Sequence, residues 1–139
     1  MTKLVRDIMT TDPVTLGSDA TAAEAARRMR DDGIGDVVVA DADNVLGIVT
    51  DRDLVVRVLA DGRDPEQTPL AEVASAELVS IAPDAPAWEA ARLMRENAVR
   101  RLLVMDSDQL AGMVSIGDLA IEQDERSALA DISAAEPNQ

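Results

Sequence analysis

The sequence predicts an α/β protein of the α+β type, in which two β-α-β-β-α repeats pack sheet to sheet around a pseudo-twofold axis. The prediction depends on an internal repeat, on the same order of patterns in each copy, and on a core too small for one copy alone. Val14–Leu16 and Asp53 recur 65 residues later as Val79–Ile81 and Asp118, without a gap. Because the offset is constant across several elements, it indicates duplication.

Each copy begins with a short helix, a strand and a longer amphipathic helix. The opening helix is predicted at Val5–Met9 in copy one and at Leu70–Ala74 in copy two. Thr21 is expected to cap the longer helix of copy one, because its side-chain oxygen can accept a hydrogen bond from the first turn. This helix should end at Asp32 in copy one and at Asn97 in copy two.

Two apolar strands and a closing helix complete each copy. Val37–Val39 and Leu102–Val104 are uninterrupted apolar runs, as expected for strands covered on both faces. A polar turn joins each run to a second strand, which predicts a hairpin in each copy. The closing helix should begin at Asp51 and at Ile116. The predicted organisation is a first repeat at 1–62, a linker at 63–69, a second repeat at 70–132 and a loose tail at 133–139.

Charge and composition exclude several classes of function. The chain has 27 acidic and 13 basic residues, for a net charge of −14. Nucleic acids and anionic membranes select basic surfaces, so neither is an expected partner. The chain has no Cys and no His, which removes the usual zinc ligands and the Ser–His and Cys–His nucleophile pairs. We therefore expect no metal site and no catalytic residue, hence no enzyme.

The sequence also lacks the hydrophobic segments of membrane and exported proteins. The N-terminal residues have no apolar signal-peptide core, and no stretch approaches about 20 apolar residues. A soluble, cytoplasmic protein is the expectation.

The ordered motifs of the two copies resemble the CBS-domain pair, or Bateman module, and especially stand-alone bacterial CBS proteins. The motifs are Val5–Met9, Asp12–Thr15, Gly47–Asp53, Arg100–Val104 and Gly112–Asp118. The resemblance implies a non-catalytic regulatory sensor that binds AMP, ADP, ATP or S-adenosylmethionine between the repeats, forms a homodimer and requires no cofactor. The alternative is a nucleotide-independent dimeric module that binds an unidentified protein.

The nucleotide motif of that family is a hydroxyl residue three positions before an aspartate, where a strand turns into a helix. Thr50 with Asp53 matches this motif in copy one, and Ser115 with Asp118 matches it in copy two. An ionised carboxylate can accept hydrogen bonds from both ribose hydroxyls, and the neighbouring hydroxyl can bind sugar or phosphate. The same spacing also suits a helix cap, so capping and ligand contact are both open.

Two arginines distinguish the copies. Arg100 and Arg101 precede the second strand of copy two, where similar modules use arginine to reach a bound phosphate. The guanidinium offers a planar fork of donors, although a solvated pair or an ion pair would account for them equally well. Copy one has Gly35 and Asp36 at these positions, and an aspartate repels phosphate. The two sites should therefore differ, with tighter binding in copy two.

The first strand of each copy is expected to complete the ligand site. The resemblance implies that Val14 and Thr15 contact the ligand in copy one and Val79 in copy two. The family usually has proline in the next strand, where this chain has Val38 and Leu103. These departures lie near the expected adenine position.

The long helices are expected to form the homodimer interface. Ala23 and Trp88 occupy matching positions on them, and Trp88 is the only aromatic residue of the chain. Both positions are predicted to lie on exposed helical faces. Trp88 is expected to be an interface anchor, and a half-buried surface residue is the alternative.

Overall fold

The protein consists of two compact α+β units, which confirms the predicted fold class. The computed structural model describes residues 3–75 and 78–124 of the 139-residue chain. The first unit is Pro13–Leu78, and the second consists of the described residues of Met1–Asp12 and Val79–Gln139. The predicted tail at 133–139 and the last residues of the predicted second repeat lie outside the described part.

Each unit contains one sheet, a long helix and a closing helix. The helices and strands are α1 Val5–Ile8, β1 Thr10–Thr11, β2 Thr15–Leu16, α2 Ala22–Asp32, β3 Asp36–Asp41, β4 Asn44–Thr50, α3 Asp51–Leu54, β5 Ser80–Ile81, α4 Ala87–Asn97, β6 Arg101–Asp106, β7 Gln109–Ser115 and α5 Ile116–Asp124. The sheet of the first unit has the order β2-β3-β4, and the sheet of the second has the order β1-β7-β6-β5. A π-helical turn (Val55–Leu59) follows α3, and a 3-10 turn (Leu70–Glu72) precedes β5.

The long helices have the limits that the sequence predicts. The Thr21 side chain accepts a hydrogen bond from the N–H of Glu24 at 3.2 Å, which caps α2. The helices end at Asp32 and Asn97, as expected. Gly33 follows α2 with a φ of 65°, a left-handed conformation that glycine adopts without steric cost and that ends the helix.

The central strands of both sheets are buried on both faces, as their apolar runs predict. Val37–Val39 are at most 1% exposed and Leu102–Val104 at most 2% exposed. In the first unit β3 runs parallel to β2 and antiparallel to β4, and β6 has the same relation to β5 and β7 in the second. Both predicted hairpins, β3–β4 and β6–β7, are therefore confirmed.

The opening segment of each repeat packs in the unit formed by the rest of the other repeat. We define these segments as residues 5–11 in copy one and 70–75 in copy two. Val5 is fully buried in the core of the second unit, where β1 pairs with β7. Leu70 and Val73 are fully buried in the core of the first unit. The packing units thus differ from the sequence repeats by an exchange of segments, and the repeat and linker boundaries given above stay a prediction.

The chain at 63–69 covers the beginning of α2, which makes one expectation wrong. The N–H of Ala23 donates to the carbonyl oxygen of Pro65 at 3.0 Å, and Thr68 is almost fully buried beside it. Ala23 is therefore only 8% exposed and does not lie on an open helical face. Trp88, at the matching position of α4, is 61% exposed, as predicted.

Candidate functional site

The Thr50–Asp53 motif lies at the junction between β4 and α3. The backbone N–H of Thr50 donates to Oδ2 of Asp53 at 2.9 Å, and the N–H of Asp53 donates to Oγ1 of Thr50 at 3.1 Å. These two bonds form a reciprocal helix cap. The Asp53 side chain is only 17% exposed, so its carboxylate is held in one orientation within a partly buried site.

The Ser115–Asp118 motif repeats this geometry at the junction between β7 and α5. The N–H of Ser115 donates to Oδ2 of Asp118 at 2.8 Å, and the N–H of Asp118 donates to Oγ of Ser115 at 3.2 Å. The Ser115 hydroxyl lies 3.1 Å from the same Oδ2 and can donate to it. The two copies thus hold their aspartates by the same local bonds.

Capping and ligand contact are compatible in this arrangement. The capping bonds use only Oδ2 of each carboxylate, and within the described part of the chain Oδ1 of Asp53 and of Asp118 accepts no hydrogen bond. A carboxylate oxygen has two lone pairs, so each Oδ1 can accept from a ligand hydroxyl while the cap stays intact. The cap therefore leaves one oxygen of each carboxylate without a hydrogen bond from the described residues.

The residues predicted to face a phosphate lie beside these junctions. In the antiparallel ladders Asp36 pairs with Thr50, and Arg101 pairs with Ser115. The carbonyl oxygen of Arg100 accepts a hydrogen bond from the N–H of Ile116, the first residue of α5, at 2.9 Å. Arg100 is exposed and Arg101 is half-buried. At these two positions the second unit therefore has arginines, whereas the first unit has Gly35 and Asp36.

The residues that precede β2 and β5, Val14 and Val79, lie at the same edge of the sheet as the motif of their unit. The carbonyl oxygen of Val14 accepts from the N–H of Val38 at 2.8 Å, and that of Val79 accepts from the N–H of Leu103 at 3.0 Å. Parallel strands start at the same edge of a sheet, and a strand antiparallel to them ends at that edge. Val14 and Val79, which precede the parallel strands β2 and β5, therefore lie at the edges where β4 and β7 end and the two motifs begin. Thr15 is exposed, with its hydroxyl bonded to its own turn.

Sequence reasoning missed one charged neighbour of the first motif. Nε of Arg57 lies 4.0 Å from Oδ1 of Asp53, and Nη1 of Arg57 donates to the carbonyl oxygen of Val73 at 2.8 Å. The spacing of four residues between Asp53 and Arg57 is a known helical ion-pair signal and could have indicated the contact. No sequence pattern indicates the hydrogen bond from Arg57 to Val73, because the two residues are 16 positions apart in the chain.

The described residues offer neither a metal-binding cluster nor a membrane-spanning helix. No cluster of three or more acidic side chains there could hold a metal ion. No helix between residues 3 and 75 or between 78 and 124 is long and apolar enough to cross a membrane. The two carboxylate motifs are thus the features to compare with known proteins.

The protein-family model of the CBS domain matches the sequence at residues 5–60 and 70–124. The chain belongs to the CBS-domain family. Its two matched copies form a CBS pair, and pairs of this kind are generally regulatory, ligand-binding modules without catalytic activity.

Several known proteins resemble this CBS pair along most of their length. It is 41% identical over 119 residues to the CBS domain-containing protein YhcV of Bacillus subtilis, covering 86% of this chain and 84% of that protein. It is 34% identical to hypoxic response protein 1 of Mycobacterium tuberculosis, over 83% of this chain and 81% of that protein. The matched region makes up more than four fifths of each of these two relatives.

Solved structures support the same assignment. A crystal structure of hypoxic response protein I, described with two coordinated zinc ions, matches with a TM-score of 0.75 and covers 85% of this chain and 97% of that one. The hexameric CBS-CP12 protein from bloom-forming cyanobacteria matches with a TM-score of 0.79 at 27% identity, over 100% of this chain and 78% of that one. Both matches confirm the CBS-pair fold.

Proposed function

We propose that this CBS pair is a non-catalytic regulatory module that binds an adenosine nucleotide through the carboxylates of Asp53 and Asp118. The observation that supports the proposal is the free acceptor at each motif: the cap occupies Oδ2, and Oδ1 takes no hydrogen bond from the described residues. A vicinal diol supplies two hydroxyl donors at the spacing of one carboxylate. AMP, ADP, ATP and S-adenosylmethionine all carry a ribose with these hydroxyls, so the motif alone does not separate them.

The charges beside the motifs favour a phosphate in copy two. Arg100 and Arg101 flank the Ser115–Asp118 motif, and a guanidinium is a strong bidentate partner for phosphate oxygens. Copy one has Asp36 at the corresponding ladder position. We therefore propose that the site of Val79, Arg100, Arg101, Ser115 and Asp118 binds more tightly than the site of Val14, Thr15, Thr50 and Asp53.

A thermal-shift series with AMP, ADP, ATP and S-adenosylmethionine tests the proposed function. A ligand that binds only the folded protein stabilises it by about 2.7 kcal/mol at a hundredfold excess over its Kd. We expect at least one phosphate-bearing nucleotide to raise the melting temperature, with a shift that grows with its concentration. Inorganic phosphate, an anion without the ribose hydroxyls, is the control for non-specific anion effects. If none of the four ligands shifts the transition beyond this control, nucleotide binding is excluded.

We do not propose that this chain binds zinc. The zinc ions belong to the structure of hypoxic response protein I, and the present chain has neither Cys nor His to bind the metal with the usual nitrogen and sulfur ligands. The described residues also offer no acidic cluster for a cation.

The exposed apolar side chains favour a second function, a homodimeric interaction module. Trp88 and Ile116 in the second unit are 61% and 55% exposed, and Leu59 and Val55 in the first unit are 74% and 54% exposed. Val55 and Leu59 line one apolar groove of the first unit, and grouped exposed apolar side chains usually mark an interaction site. The hexameric relative shows that such CBS proteins can self-associate. Because both functions can coexist in one protein, assembly and ligand binding need separate tests.

We expect the protein to be a homodimer and Trp88 to be an anchor of its interface. Trp88→Ala should weaken dimerisation about tenfold or more, because truncating a buried interface aromatic commonly costs about 2 kcal/mol or more. Light scattering and sedimentation at micromolar concentration measure the effect. Asp43→Ala, in an exposed turn of the other unit, is the control and should leave dimerisation unchanged. A wild-type protein that is monomeric at these concentrations would contradict the prediction.

A further inference from the structure

One guanidinium stands between the Asp53 carboxylate and the opening segment of copy two, residues 70–75. Nη1 of Arg57 donates to the carbonyl oxygen of Val73 at 2.8 Å, and Nε lies 4.0 Å from Oδ1 of Asp53. The oxygen that faces Arg57 is the one that the helix cap leaves unused. The Arg57 side chain is 47% exposed, so it can shift between its two partners. Arg57 thus connects the candidate ligand acceptor with a distant part of the chain.

The opening segment of copy two is bound to the same strand that carries the motif. The N–H of Ser75 donates to the carbonyl oxygen of Ile48 at 2.9 Å, and the N–H of Ile48 donates back to Ser75 at 3.2 Å. Val73 is fully buried in the core of the first unit. In sequence this segment leads to Val79, where the second unit resumes.

Arg57 lies in the π-helical turn, and within the described residues only copy one has such a turn. The N–H of Ala60 donates to the carbonyl oxygen of Val55 at 2.8 Å, five residues back, which widens the helix around Arg57. In copy two α5 is an ordinary α-helix from Ile116 to Asp124, and the residue that corresponds to Arg57 is Glu122. Wide turns of this kind are frequent at functional sites.

We infer that Arg57 is a positioning residue that couples the Asp53 carboxylate to the opening segment of copy two. At 4.0 Å the Arg57–Asp53 contact is a charge interaction rather than a hydrogen bond, so it responds to any new partner of Oδ1. A ligand hydroxyl that donates to Oδ1 offsets part of its negative charge. The guanidinium is then held less by Asp53 and more by the Val73 carbonyl, which fixes the segment. The ligand part of this inference rests on the proposed function.

A double-mutant cycle tests the coupling without any ligand. The readout is the hydrogen-exchange rate of the Ser75 amide in the full chain, in Asp53→Asn, in Arg57→Met and in the double variant. We expect Asp53→Asn to change this rate about threefold or more when Arg57 is present and to have no effect when it is replaced. Additive effects in the two backgrounds would overturn the inference.

Two controls separate coupling from a general loss of stability. Arg52→Met removes an exposed arginine of α3, the helix that leads into the π-helical turn. The Arg52 side chain makes no bond to residues 70–75, so this variant should leave the Ser75 rate unchanged. The Leu103 amide, bonded to Val79 in the second unit, is the internal reference for global unfolding. If Arg57→Met accelerates exchange equally at Ser75 and Leu103, Arg57 acts through stability alone and the inference is wrong.

The ligand part is tested with AMP at a concentration that saturates both sites, including the weaker site of Asp53. Calorimetry measures the binding itself. We expect AMP to slow Ser75 exchange about threefold or more in the wild-type protein and in Arg52→Met, but not in Arg57→Met. Slowing of equal size in all three proteins would overturn the inference. If AMP does not bind the wild-type protein, the proposed function fails for this nucleotide, and the ligand-free cycle still decides whether Arg57 couples Asp53 to the segment.

Discussion

Replacing Gly47 with alanine should lower the free energy of unfolding by about 2–3 kcal/mol. A Cβ at this position would lie 2.6 Å from the carbonyl oxygen of Ser75 and 3.0 Å from the Cβ of Ala74. The carbonyl cannot easily retreat, because it accepts a hydrogen bond from the N–H of Ile48 in the strand that carries Gly47. The added methyl group would therefore separate the opening segment of copy two from β4.

Gly112→Ala should have an effect of the same size in the second unit. There the Cβ would lie 2.5 Å from the carbonyl oxygen of Thr10 and 2.8 Å from Sδ of Met9. Gly117→Ala is the matched control, because its Cβ would meet nothing closer than Oγ of Ser115 at 3.5 Å, and its stability should be close to that of wild type. Urea unfolding measures all three variants. A Gly47→Ala protein as stable as Gly117→Ala would show that the close approach is not needed.

Asp118→Asn should lower the affinity of the tighter nucleotide site about tenfold or more, whereas Asp53→Asn should largely preserve that site. Asparagine retains an oxygen that can accept the capping bond from Ser115, so the helix start is maintained. It replaces the charged acceptor Oδ1 with a neutral group, and loss of a charge-assisted hydrogen bond costs about 1.5–3 kcal/mol. Arg100 and Arg101 are the reason to expect the tighter site in this copy. Isothermal titration calorimetry with AMP and ATP resolves the two sites.

Asp108→Asn is the control for the change in net charge, because Asp108 is an exposed turn residue of the same unit. It should leave both binding events unchanged. Loss of the tighter event in Asp53→Asn instead of Asp118→Asn would assign the phosphate to copy one, where Arg57 lies 4.0 Å from the carboxylate. A wild-type protein that binds none of the nucleotides would favour the interaction module and its exposed apolar surface.

The secondary structure and the location of both motifs could be predicted from the sequence because their signals are local. A threonine cap and helical periodicity define the start and length of α2, and the apolar run Val37–Val39 defines a buried strand. The fixed offset between the copies then predicts the same elements in the second half. The hydroxyl and carboxylate of each motif are three residues apart, so their reciprocal bonds also follow from sequence.

The remaining features depend on contacts between residues that are distant in sequence. The two repeats are similar, so the apolar residues of an opening segment, such as Val5, could be buried by either sheet, and no local pattern decides between them. Ala23 was predicted to be exposed because helical periodicity does not include the covering chain at 63–69. The Arg57–Val73 bond likewise requires the π-helical turn, which breaks the periodicity on which helix predictions depend.

The exchange of opening segments has a consequence for how such a protein can originate and be divided. A fragment that ends between the repeats retains one opening segment and one sheet that do not pack against each other in the complete chain. Two identical copies of such a fragment could exchange segments and close both sheets. Duplication and fusion of a single-repeat gene would then convert a concentration-dependent pair into an intramolecular one, which gains stability from the effective concentration of linked partners. The fused gene also frees its halves to diverge, as the arginines of one copy and the aspartate of the other have done.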